Sequence, residues 1–479
     1  MRLIREEKAF IREAVLLMLP MILQNFVTFS MSMADTFMVG VLGETALAAV
    51  TMANSPFYVM QLMIFGVQSG MSVLVAQYHG RGDQEAINRV MGIALFVSTT
   101  ISGLLAVTAF CIPEQIMRVL TNNADLIAPG AAYTRYVGFS YFFSAISGVY
   151  IAAQRSTENP RLGAVLLTVS GALNIFLNWV LIYGKLGAPM LGCAGAAIAT
   201  VSAQLISTLG CFAYAFSKYP ELRLHQEDWQ ITRHDVTRHL IQGIPLGLQF
   251  SVLAIGIIVM QRALVGFDIG PDGIMAAGNP AQNGFGAANK LNNFLMCPMN
   301  ALSTAIVSFN AQNLGAGRHD RIRRGTVKSL LIGLAMYLIL GGAGMLLTIR
   351  GAYQYLFMSA DKITAATIRY GNLYLYVDLS MYFALMVLFV FRSGVQGVGH
   401  AEFTLVAGCA ELIARVLICA FLPKLVNGGA IDSSASVGAY IALCFGDPGA
   451  WVLAVVSLIY PVTRYLFGGA RRKPSEHAA

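Results

Sequence analysis

Residues 14–40 read AVLLMLPMILQNFVTFSMSMADTFMVG, an apolar run that is long enough to cross a bilayer. The run contains one charged residue, Asp35, close to its far end. A carboxylate inside hydrocarbon costs about 2.5–3.5 kcal/mol on insertion scales, and chains tolerate it mainly where the charge pairs, binds an ion or carries a proton. Asp35 is therefore the first candidate functional residue of the sequence.

The composition extends this observation to the whole chain. Of the 479 residues, 56% are hydrophobic and only 12% are charged, about half the charged fraction of a typical soluble domain. The apolar stretches of spanning length are at residues 14–39, 53–77, 90–112, 133–153, 163–183, 192–217, 241–266, 284–311, 327–349, 371–391, 402–422 and 436–466. The sequence therefore predicts an all-α polytopic membrane protein with twelve transmembrane helices. We expect the first span to be an uncleaved helix, because its apolar part exceeds that of a signal peptide and no small-residue cleavage site follows it.

The basic residues predict how the chain lies in the membrane. The net charge is +8, and most of the 32 Lys and Arg residues fall between spans, on the side that holds the N-terminus. By the positive-inside rule, both termini are predicted to be cytoplasmic in a multi-pass protein of the cell (inner) membrane. Because topology accounts for the surplus positive charge, we expect the lipid bilayer and not a nucleic acid as a partner.

The chain lacks the residue patterns of enzymes and metal sites. The seven cysteines are scattered without a CxxC motif, and the seven histidines lie in loops or near the C-terminus. The sequence contains neither GxSxG nor HExxH, and it has no repeated loop resembling a channel filter. We therefore expect no catalytic residues and no cofactor apart from a transported coupling ion.

Three motifs occur once in each half of the chain, in the same order. The pairs are Leu19–Pro20 with Ile244–Pro245, AQYHGRGD (76–83) with AQNLGAGRHD (311–320), and QRSTENP (154–160) with FRSGVQGVGH (391–400). They predict a duplicated six-helix unit, with lobes at residues 1–217 and 241–470, a cytoplasmic linker at 218–240 and a cytoplasmic tail at 471–479. Since six spans per copy keep the orientation, the lobes should be related by an axis along the membrane normal. We interpret the glycine-rich turns as helix caps or hinges.

Polar residues of three spans in the first half are predicted to lie at one depth. Asn174 and Asn178 are spaced i, i+4 and therefore share a helix face. Asp35, Asn174, Asn178 and Thr200 each lie a similar number of residues from the predicted outer end of their span, which places them at a similar depth. An oxygen-rich set of this kind suits a proton or a hard monovalent cation. The alternative is that the amides and the hydroxyl only hydrogen-bond between packed helices.

The second half contains a different polar set. Glu411 and Arg415 occupy the positions that match Asn174 and Asn178, and their i, i+4 spacing predicts a salt bridge within one helix. Asp378 lies in the span at 371–391 among tyrosines, where it is either a functional carboxylate or part of an interfacial belt. The candidates for contact with a substrate are all in the first span: Gln24, Asn25, Met31 and Met33.

These motifs together resemble the multidrug and toxic compound extrusion (MATE) family of cation-coupled antiporters. The resemblance covers essentially the whole chain and rests on MADTFMVGVLGETALAAV (33–50), LVAQYHGRGD (74–83), NIFLNWVLIYG (174–184), GAAIATVSAQ (195–204) and AQNLGAGR (311–318). It implies twelve transmembrane helices in two six-helix lobes with a V-shaped arrangement. It also implies that Asp35 couples transport to ion entry.

The resemblance further implies a branch of the family. In DinF-like members, a span-5 Asn, a nearby span-5 Asp and a span-6 Thr complete the site of the first lobe; Asn174 and Thr200 match, whereas Asn178 stands where the Asp is expected. NorM-like members carry a Glu in span 7, which this chain lacks, and a span-10 Asp that Asp378 matches loosely. The chain is thus closer to the DinF-like branch, with one carboxylate fewer in its first lobe.

The expected function is secondary active antiport by alternating access. A small organic cation or amphipathic drug would leave the cell in exchange for H+ or Na+, with Na+ at Asp35 as one alternative and no other metal. We expect a monomer. The competing interpretation is a flippase for a lipid-linked precursor or polysaccharide from a related superfamily, although such proteins usually have a more cationic cavity than this chain provides.

Overall fold

A computed structural model of the chain describes residues 2–157, 159–217, 222–225 and 232–468, the side chains of residues 2–18 and 361 excepted. The helices in chain order are α1 (Arg2–Gly40), α2 (Glu44–Ala53), α3 (Ser55–Arg81), α4 (Gln84–Cys111), α5 (Pro113–Leu120), α6 (Ala124–Ser156), α7 (Arg161–Tyr183), α8 (Gly192–Ser217), α9 (Arg233–Val265), α10 (Pro280–Gly315), α11 (His319–Thr348), α12 (Ala365–Ser380), α13 (Tyr382–Gly397), α14 (Ala401–Asn427), α15 (Val437–Cys444) and α16 (Gly446–Pro461). A π-helical turn, Val462–Phe467, continues α16. The prediction of an all-α fold is confirmed.

Most of the predicted spans correspond to long apolar helices. Within the described residues, ten helical segments are long and apolar enough to cross a membrane, and the bent pair α12–α13 would make eleven. The predicted span at 14–39 is part of α1, which is not among these segments. The ten segments are taken from the described residues alone, and the side chains of residues 14–18, the apolar start of this span, lie outside them.

The span predicted at 371–391 is broken into two helices. The axes of α12 and α13 differ by 52°, with the break at Met381. The Ser380 hydroxyl donates to the carbonyl of Val377 in the last turn of α12. The Ser380 carbonyl accepts a hydrogen bond from the Tyr337 hydroxyl, which satisfies a backbone group at the break. Asp378 therefore lies in the last turn before a bend and not in the middle of a straight span.

The glycine-rich turn between α3 and α4 is a pair of helix caps. Gly82 has a φ of 76°, in the left-handed region that a side chain disfavours, and it ends α3. The carboxylate of the next residue, Asp83, accepts a hydrogen bond from the Ala86 amide at 3.0 Å and caps α4. The interpretation of this motif as a structural cap is confirmed.

The chain folds into two compact units, Met1–Gly247 and Leu248–Ala479. The division lies inside α9 and not in the predicted linker at 218–240, of which residues 218–221 and 226–231 lie outside the described residues. Helix α9 begins at Arg233, and its first half packs on α3 so closely that a β-carbon at Gly66 would lie 2.6 Å from the Cα of Gly247. Because this contact holds the start of α9 in the first unit, the boundary falls later in the chain.

Candidate functional site

The first candidate site lies in the unit Met1–Gly247, where α1, α7 and α8 pack against one another. Asn174 and Asn178, one turn apart on α7, are 0% and 1% exposed. Asp35 comes from the last turns of α1, and Thr200 comes from the first half of α8. The structure thus brings together the four side chains that the sequence placed at one depth.

These four side chains form a continuous chain of hydrogen bonds. The Asn178 amide donates to Asp35 Oδ1 at 2.5 Å and to Asn174 Oδ1 at 3.3 Å. The Asn174 amide donates in turn to Thr200 Oγ1 at 3.3 Å, and the Thr200 hydroxyl donates to the carbonyl of Ala196. Within this series, the Asp35 carboxylate acts only as an acceptor. The arrangement stabilises a charged carboxylate by a charge-assisted hydrogen bond.

A cavity of about 350 Å³ adjoins this chain of hydrogen bonds. Asp35, Asn174 and Thr200 line it, whereas Asn178 lies outside the lining. Hydroxyl and amide side chains make up much of the remaining lining: Thr28, Ser32, Thr36, Thr51, Asn54, Tyr133, Ser140, Tyr141, Ser144 and Gln204. Asp35 is the one carboxylate in this lining, and no ion pair among the described residues includes it. The cavity therefore carries a single negative charge that a proton or a cation can neutralise.

Sequence reasoning missed a second polar cluster in this cavity. The Asn54 amide and the Tyr133 hydroxyl lie 3.2 Å apart, and the Tyr141 hydroxyl lies 3.5 Å from Asn54 Oδ1. Asn54 separates α2 from α3 and directly precedes the Ser55–Pro56 start of α3. The Asn-Ser-Pro sequence marks a helix boundary, but nothing in it indicates that the amide faces a cavity.

The four residues predicted to contact a substrate do not all line this cavity. Met31 lines the cavity, and neither Met33 nor Asn25 is part of its described lining. Gln24 is 5% exposed and donates to the carbonyl of Pro160, the residue before α7. This carbonyl also accepts the first backbone hydrogen bond of α7, from the Ala164 amide, so Gln24 links α1 to the start of α7, which is a structural task.

The unit Leu248–Ala479 contains two buried ion pairs in place of the predicted one. Glu411 pairs with Arg392 of α13, and Arg415 pairs with Asp447 of α16 at 2.6 Å. The predicted Glu411–Arg415 salt bridge is wrong. Residues spaced i, i+4 can meet on a helix surface, but both side chains are buried and find partners on the neighbouring helices.

Asp378 lies in the same polar network and is 0% exposed. Its Oδ2 accepts a hydrogen bond from the Asn292 amide at 2.7 Å, and its Oδ1 has no hydrogen-bond partner among the described residues. Asn292 also donates to the Tyr374 hydroxyl, which donates to Asp447. Asp378 is thereby connected to the Arg415–Asp447 pair, and the predicted polar residues of this unit lie close together.

Asp447, Arg392 and Asn292 are residues of this region that sequence reasoning did not single out as site residues. A signal existed for Asp447, since it lies in Gly-Asp-Pro-Gly at 446–449, an interruption of the apolar stretch 436–466. Arg392 lies in FRSGVQGVGH (391–400), one of the motifs that match between the two halves. The role of Asn292 depends on a contact between α10 and α12 that no local pattern encodes.

Known proteins similar to this chain include proteins named for multidrug resistance and for transport. The family model described as MatE matches residues 20–180 and 278–421. The chain is 26% identical over 346 residues to the "Probable multidrug resistance protein YoeA" of Bacillus subtilis, with 72% of each chain covered. It is 23% identical over 412 residues to the "FAD transporter" of Shewanella oneidensis, covering 86% of this chain and 87% of the relative.

The fold of this chain is also similar to that of solved MATE transporter structures. The crystal structure of the Vibrio cholerae MATE transporter VcmN superposes with a TM-score of 0.83 at 16% identity, covering 97% of this chain and 98% of that one. These similarities do not favour the lipid-linked precursor flippase that the sequence left open.

Proposed function

The chain belongs to the MatE family of membrane transporters, and on that premise we propose that it exports small organic cations or amphipathic drugs in exchange for H+ or Na+. As a member of this family the protein is a multi-pass membrane transporter and not an enzyme. The name of the relative from Bacillus subtilis supports multidrug transport, and the charge distribution supports cytoplasmic termini.

The single observation that carries the proposal is the Asp35 carboxylate at the cavity of the first unit. It accepts a hydrogen bond from Asn178, it has no cationic partner among the described residues, and it supplies the one carboxylate of the lining. A positively charged substrate and an entering ion would both gain from this charge, so that they would compete for it. Such competition gives exchange if the two ligands bind the two states of the transporter with different affinities.

The site chemistry suits a small coupling ion. The lining presents carboxylate, amide and hydroxyl oxygens, among them those of Asp35, Asn174 and Thr200. Oxygen ligands are typical of hard cations such as Na+, and a carboxylate is also a proton acceptor. The match of Asn174 and Thr200 keeps the DinF-like branch as our prediction, with Asn178 as the departure.

Transport in proteoliposomes tests the proposal. Purified protein is reconstituted into vesicles with ethidium, a fluorescent organic cation, as the probe, and a proton gradient and a sodium gradient are imposed separately. We expect one of the gradients to drive ethidium against its own concentration gradient. If neither gradient moves the probe, or if movement is unsaturable and independent of both ions, the proposal fails.

A further inference from the structure

The unit Leu248–Ala479 contains a larger cavity with the opposite electrostatic character. Its volume is about 980 Å³, within the range of cavities that hold small organic ligands. Three guanidinium groups line it, those of Arg262, Arg392 and Arg415, together with two carboxylates, those of Glu411 and Asp447. The lining therefore carries a formal charge of +1, in contrast to the single negative charge in the cavity of the first unit.

The surplus charge comes from Arg262. The two carboxylates of the lining are engaged by Arg392 and Arg415, whereas Arg262 has no ion pair among the described residues. Arg262 lies in the last turn of α9 and is exposed, so its guanidinium can meet a ligand without leaving a buried partner unpaired. A guanidinium presents a planar fork of donors that fits carboxylate or phosphate oxygens in pairs.

The paired arginines also retain unused donors. The Nε atoms of Arg415 and Arg392 are buried and have no hydrogen-bond acceptor among the described residues, and the same holds for Nε2 of Gln282, which also lines the cavity. Arg415 is only 5% exposed, and its Nη1 lies 2.5 Å from the point where a β-carbon on Gly256 would be. Glycine at position 256 therefore leaves room for Arg415 beside α9. Buried donors that lack acceptors are costly, and an anionic ligand would supply the missing acceptors.

The rest of the lining is largely apolar and aromatic. It includes Leu253, Ile257, Phe285, Met296, Phe389 and Trp451. Flat rings gain favourable contacts from such aromatic side chains. We propose that this cavity is a binding site for an organic anion, a carboxylate or phosphate carried on an apolar, flat body, with Arg262 as the residue that selects its charge.

The Asp378 carboxylate does not line the cavity that we propose for the anion. It accepts a hydrogen bond from Asn292, which is part of the described lining. The proposed site goes beyond the antiport of cations and does not require it. A binding measurement without any ion gradient tests it, so the two proposals can fail separately.

The test uses Trp451 as a reporter of the cavity. The chain has three tryptophans, and the substitutions Trp179→Phe and Trp229→Phe leave Trp451 as the single emitter. In neutral detergent, its quenching is titrated with three nitroaromatic probes of similar shape and different charge: 4-nitrobenzoate, 4-nitrobenzyl alcohol and 4-nitrobenzylammonium. We expect saturable quenching, with half-saturation at a concentration at least about tenfold lower for the anion than for the other two, because a tenfold preference needs only about 1.4 kcal/mol.

Substitutions then assign the selectivity to one residue. Arg262→Gln should remove the preference for 4-nitrobenzoate, whereas Arg369→Gln, which removes the same charge from an exposed position outside the lining, should retain it. Both side chains are exposed, so neither change is expected to prevent folding. Equal affinity for the three probes, or an equal loss of preference in both variants, would overturn the proposal.

A separate arm of the same titration distinguishes a lipid headgroup from a soluble organic anion as the ligand. Phosphatidylglycerol or phosphatidylcholine is added to the micelles before 4-nitrobenzoate. Competition by phosphatidylglycerol alone would support an anion site whose occupant is a lipid headgroup, and no competition by either lipid would support a soluble organic anion. Equal competition by both lipids would overturn the proposed charge selectivity.

Discussion

The Asn178 side-chain amide, on α7, donates a hydrogen bond of 2.5 Å to the Asp35 carboxylate, on α1. Asn178 is 1% exposed and lies outside the cavity lining, whereas Asp35 is part of it. The amide therefore supports the carboxylate from the protein side and leaves its other side to the cavity. In our account, Asn178 positions Asp35 for an ion that arrives from the cavity.

Replacing Asn178 by leucine removes this support. Hydrogen bonds to charged groups contribute about 1.5–3 kcal/mol, which corresponds to about a tenfold effect or more on binding. We expect gradient-driven ethidium efflux by Asn178→Leu to fall about tenfold in proteoliposomes, on the basis of the same hydrogen-bond energy. Gln204→Leu is the matched control, because Gln204 lines the same cavity and its side chain has no part in the hydrogen-bond chain. An equal loss of efflux in both variants would contradict a specific role of the hydrogen bond between Asn178 and Asp35.

The burial of the Arg415–Asp447 pair leads to a prediction about the stability of the protein. Their side chains are 6% and 14% exposed, and removing one partner of a buried pair typically costs about 3–5 kcal/mol. We expect Asp447→Leu to lower the midpoint of thermal unfolding in detergent strongly, and the double variant Arg415→Met with Asp447→Leu to regain most of the loss. The reason is that the double variant leaves neither member of the pair as an unpaired charge in the protein interior.

The exposed pair Arg118–Glu114 provides the control for this experiment. Its side chains are 69% and 61% exposed, and such pairs contribute little. Glu114→Gln should leave the unfolding midpoint nearly unchanged. If the double variant at Arg415 and Asp447 is no more stable than Asp447→Leu alone, the pair does not act as a coupled unit.

The close approach of α3 and α9 leads to a third prediction, which concerns the stability of glycine variants. A β-carbon on Gly66 would lie 2.6 Å from the Cα of Gly247, and one on Gly70 would lie 2.7 Å from the backbone nitrogen of Gly243. Because backbone atoms cannot give way as a flexible side chain can, we expect Gly66→Ala to destabilise the protein by about 1–3 kcal/mol. The measurement is again thermal unfolding in detergent.

Gly342→Ala is the control for the glycine contact. Gly342 is an exposed helical residue of α11, and among the described residues no atom outside its chain neighbours and its own helix backbone lies within 4 Å of the position that a methyl group there would occupy. Alanine favours helix over glycine, so this variant should be neutral or slightly more stable. A destabilisation as large as that of Gly66→Ala would show that the loss comes from glycine replacement in general.

Local patterns predicted the parts of the site that a single helix determines. Asn174 and Asn178 share a face because they are spaced i, i+4, and the apolar run around Asp35 made its charge conspicuous. The same spacing rule assigned a wrong partner to Glu411, because Arg392 and Asp447 come from other helices and satisfy the buried charges instead. Asn54 and Tyr133 were missed for a similar reason, since their contact joins residues 79 positions apart.

The fold shows the same limit. Hydropathy located most of the helices, and the glycine-rich turn at Gly82 and Asp83 was correctly interpreted as a cap. The break at Met381 was not predicted, because the apolar length of residues 371–391 fits a single span and does not reveal a bend. Likewise, the boundary of the two units inside α9 depends on the contact of Gly66 with Gly247 and not on the composition of the linker.

The central claim is that Asp35 couples transport to an ion gradient, and ethidium transport by Asp35→Asn in proteoliposomes tests it most directly. Asparagine keeps the size of the side chain and removes its charge, and Asp125→Asn, an exposed position on α6, controls for loss of a carboxylate elsewhere. We predict that Asp35→Asn binds ethidium about tenfold more weakly, the equivalent of about 1.4 kcal/mol, because the substrate loses the charge that it shares with the ion, and that it shows no transport above the level measured without a gradient. Asp125→Asn should transport like the unchanged protein. Full gradient-driven transport by Asp35→Asn would contradict the account.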